Sequence, residues 1–138
     1  MNTSNLKTEF FKEISPVKYE GPESDNPLAF RWYNAEKVVA GKPMKEHLRF
    51  AGAYWHSFCG NGSDQFGEPT HRFPWDIRTD PVDRAKDKMD AAFEFLSKLN
   101  LPYYCFHDVD LVDYGNDIKE NDRRLQAMVD YAAEKQEE

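Results

Sequence analysis

Cysteine is scarce in this sequence. Cys59 and Cys105 are the only two, and they form no CxxC pair and suggest no disulfide framework. Basic charge is also in deficit: 18 Lys and Arg stand against 25 Asp and Glu, a formal charge of −7. An acidic chain repels phosphate backbones, which argues against nucleic acid as a partner. The nearest thing to a basic stripe, Arg123-Arg124, follows Asp122 and is balanced by its neighbours. No apolar run approaches the roughly 18 residues that cross a bilayer, so no membrane partner is expected. The opening residues lack the apolar centre of a secretory leader and have Glu9 and Glu13 nearby. These absences together predict a reducing, cytoplasmic setting.

The segment before Gly41 is punctuated by Pro16, Gly21, Pro22 and Pro27, with Phe10, Phe11, Tyr19, Phe30, Trp32 and Tyr33 between them. It is too aromatic to be disordered by composition and has no regular period. It reads as an arm lying on another surface, with a short helix near 34–39 and a helical turn over 43–48 opened by Pro43. Residues 1–49 are assigned to this arm and 50–138 to the body of one incomplete domain.

Phe50 to Trp55 reads as a first strand, whose small residues Ala51, Gly52 and Ala53 imply a close neighbour on at least one face. A loop with three glycines and two prolines follows from Gly60 to Asp80. Loops that long are functional or disordered, and Phe66, Phe73 and Trp75 argue against disorder. The pattern from Pro81 to Leu99 is strongly helical. Asp80 caps it, Pro81 suits the first turn, and Val82, Ala85, Met89, Ala92, Phe93, Leu96 and Leu99 share one apolar face. Asn100 and Pro102 end it. A strand through Phe106 comes next, with Cys105 inside it as a small buried hydrophobe. The last helix, over 117–134, is capped by Asn116 or Asp117 and buries Ile118, Leu125, Met128, Val129 and Ala132.

Tyr103-Tyr104-Cys105-Phe106-His107-Asp108-Val109-Asp110 carries the most chemical information. An aromatic strand ends abruptly in an imidazole and two carboxylates. A βαβ crossover would place both strands parallel and adjacent, so Trp55-His56 and His107-Asp110 would share one rim. Helix, strand, polar cluster, helix is how an α/β barrel presents chemistry, because its catalytic groups sit where strands end. A carboxylate accepting from one imidazole nitrogen fixes the tautomer and leaves the other for substrate. The plainer alternative is that Asp108 and Asp110 satisfy turn donors while His107 is a capped surface residue. Trp55 is either an apolar wall against a sugar face or core. Phe66, in Asp64-Gln65-Phe66-Gly67, either inserts into a partner or folds back on its own body. His47, His56 and His71 read as structural or solvated. One His and two Asp make a weak case for zinc.

Several motifs in one order resemble the N-terminal part of the longer, class II bacterial xylose isomerases. They are Asn26-Pro27-Leu28-Ala29-Phe30-Arg31, Glu46-His47-Leu48-Arg49-Phe50-Ala51, Tyr54-Trp55-His56-Ser57-Phe58, Ala92-Phe93-Glu94-Phe95 and Phe106-His107-Asp108-Val109-Asp110. The resemblance implies a cytoplasmic aldose–ketose isomerase, usually tetrameric, interconverting D-xylose and D-xylulose (D-glucose also) by a hydride shift assisted by two Mg2+, Mn2+ or Co2+ ions. It implies that His107 assists ring opening and that Asp110 orients it. It also implies that Trp55 walls the pocket and Phe66 reaches into a neighbouring subunit's site.

The 138 residues allow one domain with a core but not the roughly 250 of a complete (β/α)8 barrel. The expected architecture is therefore α/β: an extended arm and the first two β/α units of a partial TIM barrel. The family's metal ligands lie beyond the matched motifs, and no residue here is assigned to metal. The lone chain is expected to be inactive, to self-associate or to bind the remaining C-terminal barrel portion. The alternative is a non-catalytic module that docks on full-length isomerase subunits. A metal-dependent endonuclease on the same barrel is disfavoured by the acidic charge.

Overall fold

Proline and glycine keep residues 9–37 out of regular elements, and distant groups hold them in place instead. The computed structural model describes residues 9–137; the predicted arm thus lies partly outside the described residues. The Glu94 carboxylate accepts from the Phe10 and Phe11 amides at 2.7 and 3.1 Å. The Lys98 ammonium donates to the Ile14 carbonyl, and the Val17 amide donates to the Lys98 carbonyl. Four bonds from one helix therefore lash the segment down.

The helix expected near 34–39 does not form. Asn34 turns the chain by accepting from the Glu36 amide, and strands β1 (Val38–Val39) and β2 (Lys42–Pro43) make an antiparallel hairpin. Two β-branched residues favour extension, and Ala40 and Gly41 at φ 49° and 82° supply the left-handed pair a two-residue turn requires. The expected helical turn is α1 (Met44–His47).

Strand β3 (Ala51–Ala53) is shorter than expected. Tyr54 is already helical, and Trp55–Cys59 form a single π-helical turn. The long loop contains one 3₁₀ turn, Pro74–Ile77. Helix α2 (Pro81–Lys98) starts where predicted, the Asp80 carboxylate accepting from the Val82 and Asp83 amides. Its end is a Schellman motif: Leu101 N–H bonds the Leu96 carbonyl and Asn100 N–H bonds that of Ser97, with Asn100 at φ 54°. Strand β4 (Tyr103–Cys105) follows, then the one-turn α3 (Asp108–Leu111) and the long α4 (Ile118–Glu137).

Strands β3 and β4 pair in parallel, Ala51 opposite Tyr103 and Ala53 opposite Cys105. Helix α2 lies against them so closely that a Cβ on Gly52 would come within 2.5 Å of Leu96. Two apolar clusters hold the assembly. One joins α2 to α4 through Ala85, Met89, Met128 and Ala132, closed by Leu111 and Val112. The other sets Tyr54, Phe58 and Trp75 on Ala91 and Ala92.

Two expectations of burial are corrected. Cys105 is exposed, because among the described residues β4 has one neighbouring strand and one covering layer. Ile118 and Val129 are 77% and 54% exposed, because α4 meets α2 and α3 along a narrow face. Met128, Ala132 and Lys135 occupy that face.

Candidate functional site

Parallel pairing in register brings the C-terminal ends of β3 and β4 to the same edge, and what each strand does next sets the site. After β3 the backbone turns at once into the π-helical turn, so Trp55 and His56 stand at the strand end. After β4 the chain enters α3 through His107, in extended conformation at φ −104° and ψ 164°. The Trp55 and His107 rings lie 4.7 Å apart between centroids, tilted by 45°, and the His56 ring lies 5.0 Å from Trp55, tilted by 46°. The shared rim expected from the sequence is present in the structure.

Asp110 does two jobs at once. Its Oδ2 accepts the His107 amide at 2.8 Å and lies 3.0 Å from His107 Nδ1. The carboxylate is 8% exposed and the imidazole 61%. A nearly buried anion therefore grips one nitrogen of an open ring. That contact makes Nδ1 the protonated nitrogen and leaves Nε2 as an outward acceptor. Asp108 is different: it accepts from the Val109 amide and, at 3.4 Å, from the Tyr114 hydroxyl. The plain turn-satisfying role fits Asp108, while Asp110 combines that role with a bond to the ring.

Beneath the rim sits a group that sequence reading gave no place. The Lys88 ammonium, on α2, donates to the main-chain carbonyl of Asp110. The Cys59 thiol lies 3.7 Å from both Lys88 Nζ and that carbonyl. Burial pushes the Cys59 thiol up from its ordinary range, and the nearby Lys88 charge pulls the other way. Tyr54, with the Lys88 ammonium 5.6 Å from its ring centroid, is 2% exposed. Its hydroxyl finds no partner among the described residues, and desolvation drives its ionisation far upward. The signal in the sequence was faint: Arg84 and Lys88, four apart, edge the apolar stripe of α2. Arg84 uses the same side of the helix to pair with Asp113.

The remaining sequence candidates lie apart from the rim. Phe66 is 88% exposed on a tight turn pinned by the Asp64 carboxylate, which accepts the Phe66 amide at 2.7 Å. Among the described residues its ring meets no other aromatic. His47 Nε2 lies 2.8 Å from the Val39 carbonyl, and His71 packs against Phe73. No three His, Cys, Asp or Glu side chains among the described residues gather where an ion could be held. No described helix is long and apolar enough to cross a membrane.

No family model matches the chain. Curated relatives do. A xylose isomerase of Pseudoalteromonas atlantica is 58% identical over 130 residues, covering 94% of this chain and 30% of the relative. A xylose isomerase of Bacteroides thetaiotaomicron is 54% identical over 130 residues with the same coverage. One from Caldicellulosiruptor bescii is 52% identical over 120 residues, 87% of this chain and 27% of the relative. The chain thus spans about 30% of the length of the curated relatives it matches. Along nearly all of its own length the chain is similar to curated xylose isomerases, consistent with an N-terminal portion of such an enzyme.

Proposed function

We propose that this chain supplies the ring-opening edge of an aldose–ketose isomerase acting on D-xylose and D-xylulose, with D-glucose as a further substrate. The observation that carries the reading is the open His107 ring, held at 3.0 Å by a nearly buried Asp110 carboxylate beside Trp55. A cyclic aldose opens when its anomeric hydroxyl loses a proton and its ring oxygen gains one. With Nδ1–H donated to Asp110, Nε2 takes the proton from the anomeric oxygen and returns it to the ring oxygen, so no net proton is consumed. Asp110 stabilises the imidazolium formed in between. Trp55 offers an apolar wall to the C–H face of the sugar and keeps water from it.

In this reading β3–α2 and β4–α4 are the first two units of a TIM barrel, the site stands at the C-terminal edge of its strands, and residues 1–49 are the arm. The family's divalent cation, Mg2+, Mn2+ or Co2+, finds no ligand set among the described residues. The chain's own chemistry is therefore acid–base work on the ring and apolar shape. The remainder of the barrel is its partner, in a cytoplasmic tetramer where Phe66 reaches a neighbouring subunit. The pinned, exposed Phe66 turn also favours a second reading, a module that docks on full-length isomerase subunits without catalysing.

The test is an enzyme assembled from this chain and the rest of the Pseudoalteromonas atlantica relative, assayed with Mg2+. His107→Asn should slow D-xylose isomerisation about 100-fold. It should spare D-glyceraldehyde, whose three carbons cannot close a ring. Equal losses on both aldoses refute a ring-opening role. Full activity of the chain alone refutes its dependence on the rest of the barrel. Stoichiometric binding to an intact relative without any activity in the assembled form supports the docking module instead.

A further inference from the structure

We propose that Lys88 is a positioning residue for the His107–Asp110 pair, clamping the one-turn helix α3 from beneath. The inference rests on the ring-opening reading for its consequence, but on geometry for its content. Helix α3 spans only Asp108–Leu111, a single turn, and the Asp110 amide also donates to the His107 carbonyl at 3.0 Å. The carbonyls of its last turn, that of Asp110 among them, find no donor within the helix and need one from outside. The Asp110 carbonyl finds one in Lys88. The Asp110 carboxylate holds both the amide and the ring of His107.

Asp110 is thus fixed at both ends. Its main chain is tied to α2, its side chain to the imidazole. Helix α2 is the most tightly held element around it, with Ala85, Met89, Ala91 and Ala92 almost wholly buried. Lys88 passes that rigidity to a short turn that has little of its own. The Tyr54 ring, 5.6 Å away, and the Cys59 thiol, at 3.7 Å, both lie close to the ammonium. A carboxylate that drifted by an ångström would lose the ring, and the pair would lose its alignment with a bound sugar.

Two measurements test this. In the assembled enzyme, Lys88→Met should lower D-xylose turnover about tenfold and leave D-glyceraldehyde within about twofold. Lys88→Arg, which keeps a charged donor, should recover most of the loss. In the 138-residue chain, amide exchange at His107 should accelerate about tenfold in Lys88→Met while Ala91 and Ala92 keep their parental rates. Equal losses on both aldoses, or faster exchange throughout α2, would mean that Lys88 is a general packing residue and overturn the proposal. An unchanged His107 amide overturns it as well. A His107→Asn variant that slows both aldoses alike sinks the ring-opening reading alone, and the exchange rates then still decide whether Lys88 is a clamp.

Discussion

Replacing Asp110 by Asn isolates the carboxylate's contribution at almost constant volume. One oxygen, Oδ2, serves two donors, the His107 amide at 2.8 Å and Nδ1 at 3.0 Å. An Asn side chain can keep its single oxygen on one of them, and the uncharged amide is the weaker acceptor. Its NH2 group offers nothing to the other donor. One charge-assisted bond is therefore lost outright, worth about 1.5–3 kcal/mol at a site as buried as this one. If the backbone amide keeps the oxygen, the imidazole loses its partner and with it the fixed tautomer. The loss then falls on ring opening, and at about 1.4 kcal/mol per factor of ten it amounts to roughly 10–100-fold in the rate with D-xylose. Asp108→Asn is the control. Among the described residues the Asp108 carboxylate bonds the Val109 amide and, at 3.4 Å, the Tyr114 hydroxyl, so the rate of this variant should stay within about twofold. The assay is steady-state conversion of D-xylose by the assembled enzyme, with both variants confirmed folded by circular dichroism. If Asp110→Asn matches Asp108→Asn, the carboxylate does not orient the ring and the chemistry attributed to it is wrong.

Two further outcomes follow from contacts elsewhere. Tyr131 donates to Asp90 at 2.7 Å, and burial together with that bond pushes its phenol up to about 12. The folded chain thus holds the proton more tightly than the unfolded chain, so this stability is complete below about pH 10 and is lost as pH rises through about 12. Tyr131→Phe should flatten the alkaline arm of a stability–pH curve measured by urea unfolding, and an unaltered slope would count against the Tyr131–Asp90 contact. Phe66→Ala removes a ring that is 88% exposed, so the stability of the lone chain should move by less than about 0.5 kcal/mol. Association of the assembled enzyme, followed by analytical ultracentrifugation, should weaken; unchanged association removes Phe66 from any subunit contact.

Helix α2 and the His107–Asp110 pair were readable in advance because each depends on short-range rules, and the parallel strands because a βαβ crossover has one common handedness. A capping Asp before Pro, an apolar face at three- and four-residue steps, and a carboxylate three residues beyond a His all act within a turn or two of chain. The helix expected near Asn34 failed for the same kind of reason in reverse. Residues 34–39 carry a helix-compatible pattern, but Ala40-Gly41 turns left-handed and closes a hairpin. Burial of Ile118, Val129 and Cys105 was misjudged because apolar spacing reports which residues could face a core, not how much partner surface is there to cover them.

Sequence by itself determined the strand, helix, strand and helix succession of β3, α2, β4 and α4, the acidic character, the imidazole and carboxylate that follow β4, and the likeness to sugar isomerases. Tertiary structure alone decided that Trp55 would meet His107, that Lys88 would reach the Asp110 carbonyl across 22 positions, and that the Tyr54 hydroxyl would be sealed without a partner among the described residues. Such contacts join residues far apart in the chain. They arise from how α2 settles on Gly52 and α4 settles on α2, and no pattern within a window of a dozen residues encodes that docking.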